Sequence, residues 1–171
     1  YLDEHLKRMT PPPITSIRPP DRYISEQHTG PRILLRKTGD QLVCAAVNSE
    51  TVILCHQNCY VLRPFKGIDH HALAILLNSA LLSFLYRKSP MGMENRSMAQ
   101  LRISALLKLP VPQAFSNPSL QAKIIERRHS RVELHLLLQA LYNLTPQQGK
   151  HIENSTRDIN WPLESNQSSN H

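Results

Sequence analysis

Apolar residues follow two different rhythms along this chain. Between residues 32 and 63 they come in short runs: RILLRK, QLVCAAV, TVILC and NCYVLR, separated by turn residues. Runs of this length, rich in branched residues and bounded by Gly, Asn and Ser, predict β-strands. Thr38-Gly39-Asp40 and Asn48-Ser49-Glu50 supply the turns, and Gly39 can take the positive φ a tight turn needs. Four strands in a meander are expected, ended by Pro64, which cannot donate to a ladder.

From residue 70 the rhythm becomes helical. Leu73, Leu76, Leu77, Ala80, Leu81, Phe84 and Leu85 share one face of a helix over 70–88, capped by Asp69 and closed by Arg87 and Lys88. Residues 89–100 form a polar loop, and 101–109 a short strand or helical turn. Asn117-Pro118 is a cap and first-turn pair. Behind it, Leu120, Ile124, Leu134, Leu138 and Leu141 predict a long helix to Leu144, ended by Pro146 and Gly149. About 27 residues rising 1.5 Å each would make a rod of about 40 Å. The fold class expected is α+β: a small antiparallel sheet with packed helices, followed by a long C-terminal helix.

Proline and polar content set the outer boundaries. Pro11, Pro12, Pro13, Pro19 and Pro20 make residues 1–30 a stiff linker. The chain opens on Tyr1 inside a Leu-and-charge pattern, which reads as the end of a helix from an upstream domain. Residues 31–112 then form the main domain and 113–145 the long helix, while 146–171 lack periodicity and read as a disordered tail.

Charge narrows the partner. Lys and Arg total 20 against 13 Asp and Glu, a net charge of +7. The excess lies in the folded part, with 14 cations to 8 anions over residues 1–112. Such a balance favours an acidic partner such as nucleic acid. No apolar run reaches the ~18 residues a membrane span requires. Cys44, Cys55 and Cys59 are odd in number, with no signal peptide, which points to a reducing cytoplasm.

Catalytic patterns are absent. There is no phosphate-cradling glycine loop, nucleophile elbow or carboxylate pair. Cys55-His56-x-x-Cys59, with His70 and His71 downstream, departs from the spacing of structural zinc sites. The cysteines read instead as small buried apolar residues, and no metal or catalytic residue is expected.

From residue 31 onward four blocks occur in an order that resembles the TaqI-like C-terminal specificity domain. That is the target-recognition region of adenine-specific DNA methyltransferases and of type II restriction enzymes that join methylase and nuclease. The blocks are Ile33 to Asp40 (ILLRKTGD), Asn58-x-Tyr60-Val61-Leu62, Leu73 to Arg87 with Asn78-Ser79 (LAILLNSALLSFLYR), and Arg102-Ile103-Ser104 through Leu109-Pro110-Val111-Pro112. The helix after them resembles the spacer of type I specificity subunits. The Asn-Pro-Pro-Tyr-type motif and the S-adenosylmethionine site of such methyltransferases are missing. The resemblance therefore implies no cofactor here, and an upstream methyltransferase domain or subunit, with its S-adenosylmethionine, in a prokaryotic cytoplasm.

The implied function is recognition of a short sequence in double-stranded DNA for a restriction–modification enzyme. Arg36 and Lys37 stand at a strand end beside a turn, facing opposite sides, as candidates for a phosphate or a guanine edge. Gln41 could pair with adenine. Arg87 and Lys88 end the first helix, and the 89–100 loop offers Asn95 and Arg96 as base readers with Arg102 in support. A solvated rim and a plain surface loop remain open readings of the same residues. The alternative function is an assembly module that does not bind DNA. It would dimerise, or dock on a methylase subunit, through the long helix.

Overall fold

The computed structural model describes residues 29–39, 41–48, 55, 57–89 and 100–158. Its three strands are β1 (Arg32–Arg36), β2 (Cys44–Val47) and β3 (Cys59–Leu62). The sheet order is β2-β1-β3, with both pairings antiparallel. This is not a meander. β3 pairs with β1, Ile33 opposite Leu62 and Arg36 opposite Cys59. Residues 51–54 of the expected third strand lie outside the described residues. β1 is central because its apolar run is buried on both faces: Ile33, Leu34 and Leu35 are all inaccessible to solvent or nearly so.

The 70–88 segment forms two helices rather than one, α1 (His70–Leu77) and α2 (Ala80–Lys88). The break has a cause. Buried Asn78 ends α1 with its backbone still helical, and Ser79 is the residue that turns extended. The Asn78 side chain bonds the edge of β2 turned away from β1, accepting from Cys44 N and donating to Cys44 O, both at 2.8 Å. Ser79 then caps α2 by accepting from Leu82 N. Ser83 Oγ accepts from Leu42 N at 3.3 Å, so α2 is tied to the segment that leads into β2. Ile33, Leu35, Leu42 and Cys44 meet Ala72, Leu76, Leu82 and Tyr86 in the core between sheet and helices.

Residues 101–109 resolve as a helical turn, α3 (Ile103–Leu106). The long rod does not form. α4 (Pro118–Glu126) passes through a 3-10 turn at Arg127–His129 and stops. Extended Ser130 then caps a new helix, α5 (Arg131–Leu141), by accepting from Glu133 N. The periodic stripe survives the break, because Ile124, Leu134 and Leu138 all remain in the core. Gln121, buried on α4, accepts from Asp69 N (2.6 Å) and donates to Gly67 O (3.0 Å), fastening α4 to the start of α1. The Tyr142 hydroxyl donates to Pro110 O at 2.7 Å, and burial pushes its pKa up to about 12.

The segment after 145 is also corrected. Residues 146–155 are a helix, α6 (Pro146–Ser155), where a disordered tail was expected. Asn143 takes a left-handed φ of 52°, Leu144 N donates to Gln139 O and Asn143 N to Ala140 O, so α5 ends in a Schellman motif. Thr145 and Gln148 make a reciprocal capping box, and Pro146 occupies the first turn it suits. Pro146 thus begins a helix. Gly149 lies where a Cβ would collide with the Gln139 side chain, so α6 packs closely on α5. Ile159, Trp161 and Leu163 lie outside the described residues.

Candidate nucleic-acid interface

The end of β1 organises the cationic rim. Arg36 N donates to Val43 O (2.9 Å), and Lys37 N to Asn58 O (2.8 Å), so both neighbouring strands hold the exit of β1. Strand alternation sends the two cations to opposite faces. Arg36 lies opposite Cys59 on the face away from the helices, and is exposed. Gly39 has φ +112°, and a Cβ there would stand 2.8 Å from Arg36 Nη2. The guanidinium therefore folds back over the turn, where a Cβ at residue 39 would push it aside, and the positive φ itself favours glycine. Lys37 points to the helix side, its ammonium 4.5 Å from the centre of the Tyr60 ring.

The chain that follows residues 90–99 joins this rim. Thr38 bridges Gln100 in antiparallel fashion, and Leu101 N donates to Lys37 O at 2.6 Å. The Tyr60 hydroxyl donates to Leu101 O at 2.9 Å. At the end of α2, Ser89 turns back onto Tyr86 O through both its N–H and its hydroxyl. Tyr86 is fully buried beside Arg102. Burial raises its pKa, and the adjacent Arg102 partly offsets this.

The expected site residues divide accordingly. Arg36, Lys37, half-exposed Gln41 and exposed Arg102 gather at this end, and Lys88, also exposed, is the last residue of α2. Arg87 is occupied elsewhere, in a two-pronged ion pair with Asp158 at 2.9 and 3.1 Å. The Arg87 guanidinium holds the Asp158 carboxyl below its usual range. Asn95 and Arg96 lie outside the described residues.

Sequence reasoning passed over two features. Tyr60 appeared only as a strand residue, although register places it opposite Leu35 and under Lys37. Arg32, a strand opener by pattern, is fully buried. Its Nη1 donates to Gly30 O at 2.6 Å, while Nε and Nη2 have no partner among the described residues. Burial lowers its pKa, Cys55 counteracts this, and neighbouring Arg63 adds to the lowering. No alternation rule separates such an arginine from a solvated one.

The cysteines follow the buried apolar reading only in part: Cys44 is buried, while Cys55 and Cys59 are half-buried. Cys44 is buried with its thiol pKa pushed far up by desolvation. Burial also raises Cys55. The His70 and His71 ring centroids lie 4.2 Å apart with the planes tilted by 44°, and burial lowers the pKa of His70. Among the described residues no three His, Cys, Asp or Glu side chains gather to hold a metal. Nor is any helix among them long and apolar enough to cross a membrane.

With this geometry in place, comparison with known families is decisive. The model of the TaqI-like C-terminal specificity domain matches residues 3–111, well over half the chain. The chain belongs to this family. None of the curated proteins matches it. The specificity-domain match takes in the sheet, α1, α2 and α3, and it ends before α4. The rim of Arg36, Lys37 and Arg102 lies wholly inside it.

Proposed function

We propose that this chain binds duplex DNA and selects the short sequence on which an adenine-specific methyltransferase of a restriction–modification system acts. The observation that carries the reading is the gathering of Arg36, Lys37, Gln41 and Arg102 with the chain that returns at Gln100 and Leu101 at one end of the sheet, in a specificity-domain family. Lys88, at the end of α2, is proposed as a further contact. Cations on a rigid rim would hold phosphates, and the loop between them would meet base edges. Asn95 and Arg96 are the proposed readers. Arg87, tied to Asp158, has the weaker claim among the cations. Methyl transfer from S-adenosylmethionine belongs, on this reading, to the methyltransferase partner and to no residue here.

A salt titration of duplex binding tests the proposal. Each neutralised phosphate contributes a log–log slope of about −0.9, so four cations predict roughly −3 to −4. Absence of binding to any duplex at low ionic strength, or a slope near zero, contradicts it.

One observation favours a second reading, an assembly module. Val132 and Leu136 stand exposed one turn apart on α5. A stable dimer in sedimentation velocity, together with no DNA affinity, would select that reading.

A further inference from the structure

We propose that Tyr60 is a positioning residue that couples the anchoring lysine to the sequence-reading loop. The inference rests on the DNA-recognition reading above and assigns a role to a residue that contacts no DNA in it. Three contacts close a small circuit. The Tyr60 ring face holds the Lys37 ammonium at 4.5 Å. The Tyr60 hydroxyl donates to Leu101 O at 2.9 Å, and Leu101 N donates to Lys37 O at 2.6 Å. One side chain therefore touches both the cation and the backbone at which the 89–100 loop rejoins the sheet.

The chemistry at each end is unusual for a purely packing tyrosine. Its ring face carries a cation, and its hydroxyl spans 41 residues of sequence to a backbone carbonyl. A lysine side chain has several freely rotating bonds, and ordering them on a phosphate costs entropy at binding. A ring beneath the ammonium holds part of that order in advance. The hydroxyl meanwhile sets where the loop stem lies relative to the same ammonium. With Lys37 on a phosphate, the distance from that phosphate to Leu101, where the chain rejoins the sheet, is then fixed through Tyr60. Discrimination between sequences depends on such register, whereas overall affinity depends mainly on charge.

Two substitutions separate these contributions, Tyr60→Phe removing the hydroxyl and Tyr60→Leu removing the ring as well. The unaltered chain first selects from a pool of random duplexes at low ionic strength. Affinities for the enriched duplex and a scrambled one are then measured against salt. Loss of one hydrogen bond in Tyr60→Phe is expected to lower the affinity ratio of the two duplexes by roughly threefold to tenfold. Its salt slope should match the unaltered chain, and its melting temperature should fall by only a few degrees. Tyr60→Leu should in addition weaken binding to both duplexes and flatten the salt slope by about 0.9.

An unchanged affinity ratio in Tyr60→Phe overturns the positioning role and leaves the DNA reading standing. Equal losses on both duplexes with a larger fall in melting temperature overturn it too, since they mark a structural tyrosine. If the unaltered chain enriches no sequence, the DNA-recognition reading itself falls, and the role with it. Tyr60→Phe keeps the ring and its packing, so the decision does not depend on whether Tyr60→Leu folds.

Discussion

Replacing Asn78 with alanine should be among the most damaging changes in the chain outside the apolar core. Val43 O is used by Arg36 N, so the next residue of the strand, Cys44, turns its own N–H and C=O away from β1. Asn78 satisfies both, at 2.8 Å each, from a position only 5 % exposed. Alanine leaves two buried backbone groups without partners. Each such group costs about 1–3 kcal/mol, so a loss of roughly 3 kcal/mol is expected after some water entry. With a urea m-value of about 1–3 kcal/mol/M, the midpoint should fall by roughly 1–2 M. Asn78→Asp gives an independent check. Its ionised carboxylate accepts from Cys44 N but faces Cys44 O without a proton to donate. Burial and that carbonyl raise the folded-state pKa above the unfolded value of about 3.9. The aspartate variant should therefore lie closest to the unaltered chain below about pH 4, where the acid can donate, and lose stability as pH rises through the folded pKa. Urea unfolding of the three proteins at acid and neutral pH measures both effects. An alanine penalty under about 0.5 kcal/mol, or an aspartate penalty independent of pH, would refute the edge-capping account.

Other expectations follow from single contacts. Gly39→Ala meets a φ of +112° and the Arg36 guanidinium, so it should displace Arg36 and weaken duplex binding. Equal affinity in a fluorescence anisotropy titration would show that Arg36 does not need the turn. Gly149→Ala places a methyl against Gln139 and should destabilise the α5–α6 contact by about 1–3 kcal/mol despite alanine's better helix propensity. Thermal unfolding would expose the error if the variant proved more stable. Asp158→Asn should cost less than about 1 kcal/mol, because its carboxylate is largely exposed. Asp158's folded pKa is depressed by Arg87, so the pair's contribution is present above the unfolded pKa and fades as pH falls through the folded one. A larger gap between variant and parent at acid pH than at neutral pH contradicts that sign.

Much of the local structure was legible along the chain. The strands 32–36, 44–47 and 59–62 lie within expected runs, and Asp69 and Asn117 cap the helices they were expected to cap. The errors share a physical origin. Asn78 and Ser130 are permissible inside a helical pattern, and nothing local says that each side chain will serve another purpose. The helix stops at Asn78, whose side chain is committed to the edge of β2 34 residues earlier, and Ser79 then turns extended. Ser130 breaks the next one and caps a helix start. Thr145-Pro146 carried a legible start signal, with Gln148 three residues on, but polar composition hid it.

The candidate site divides in the same way. The run ILLRKTGD by itself determined a strand, a turn and two cations on opposite faces, because backbone period and glycine's conformational freedom are local properties. Family membership was also written in the order of its motifs. Only the tertiary structure decided which cations are available. It engages Arg87 with Asp158 and lays Lys37 on Tyr60. It buries Arg32 and brings Gln100 and Leu101 back beside Thr38 and Lys37. Each of these pairings joins residues far apart in sequence. Their energies depend on distance and solvent exposure, which no local pattern encodes.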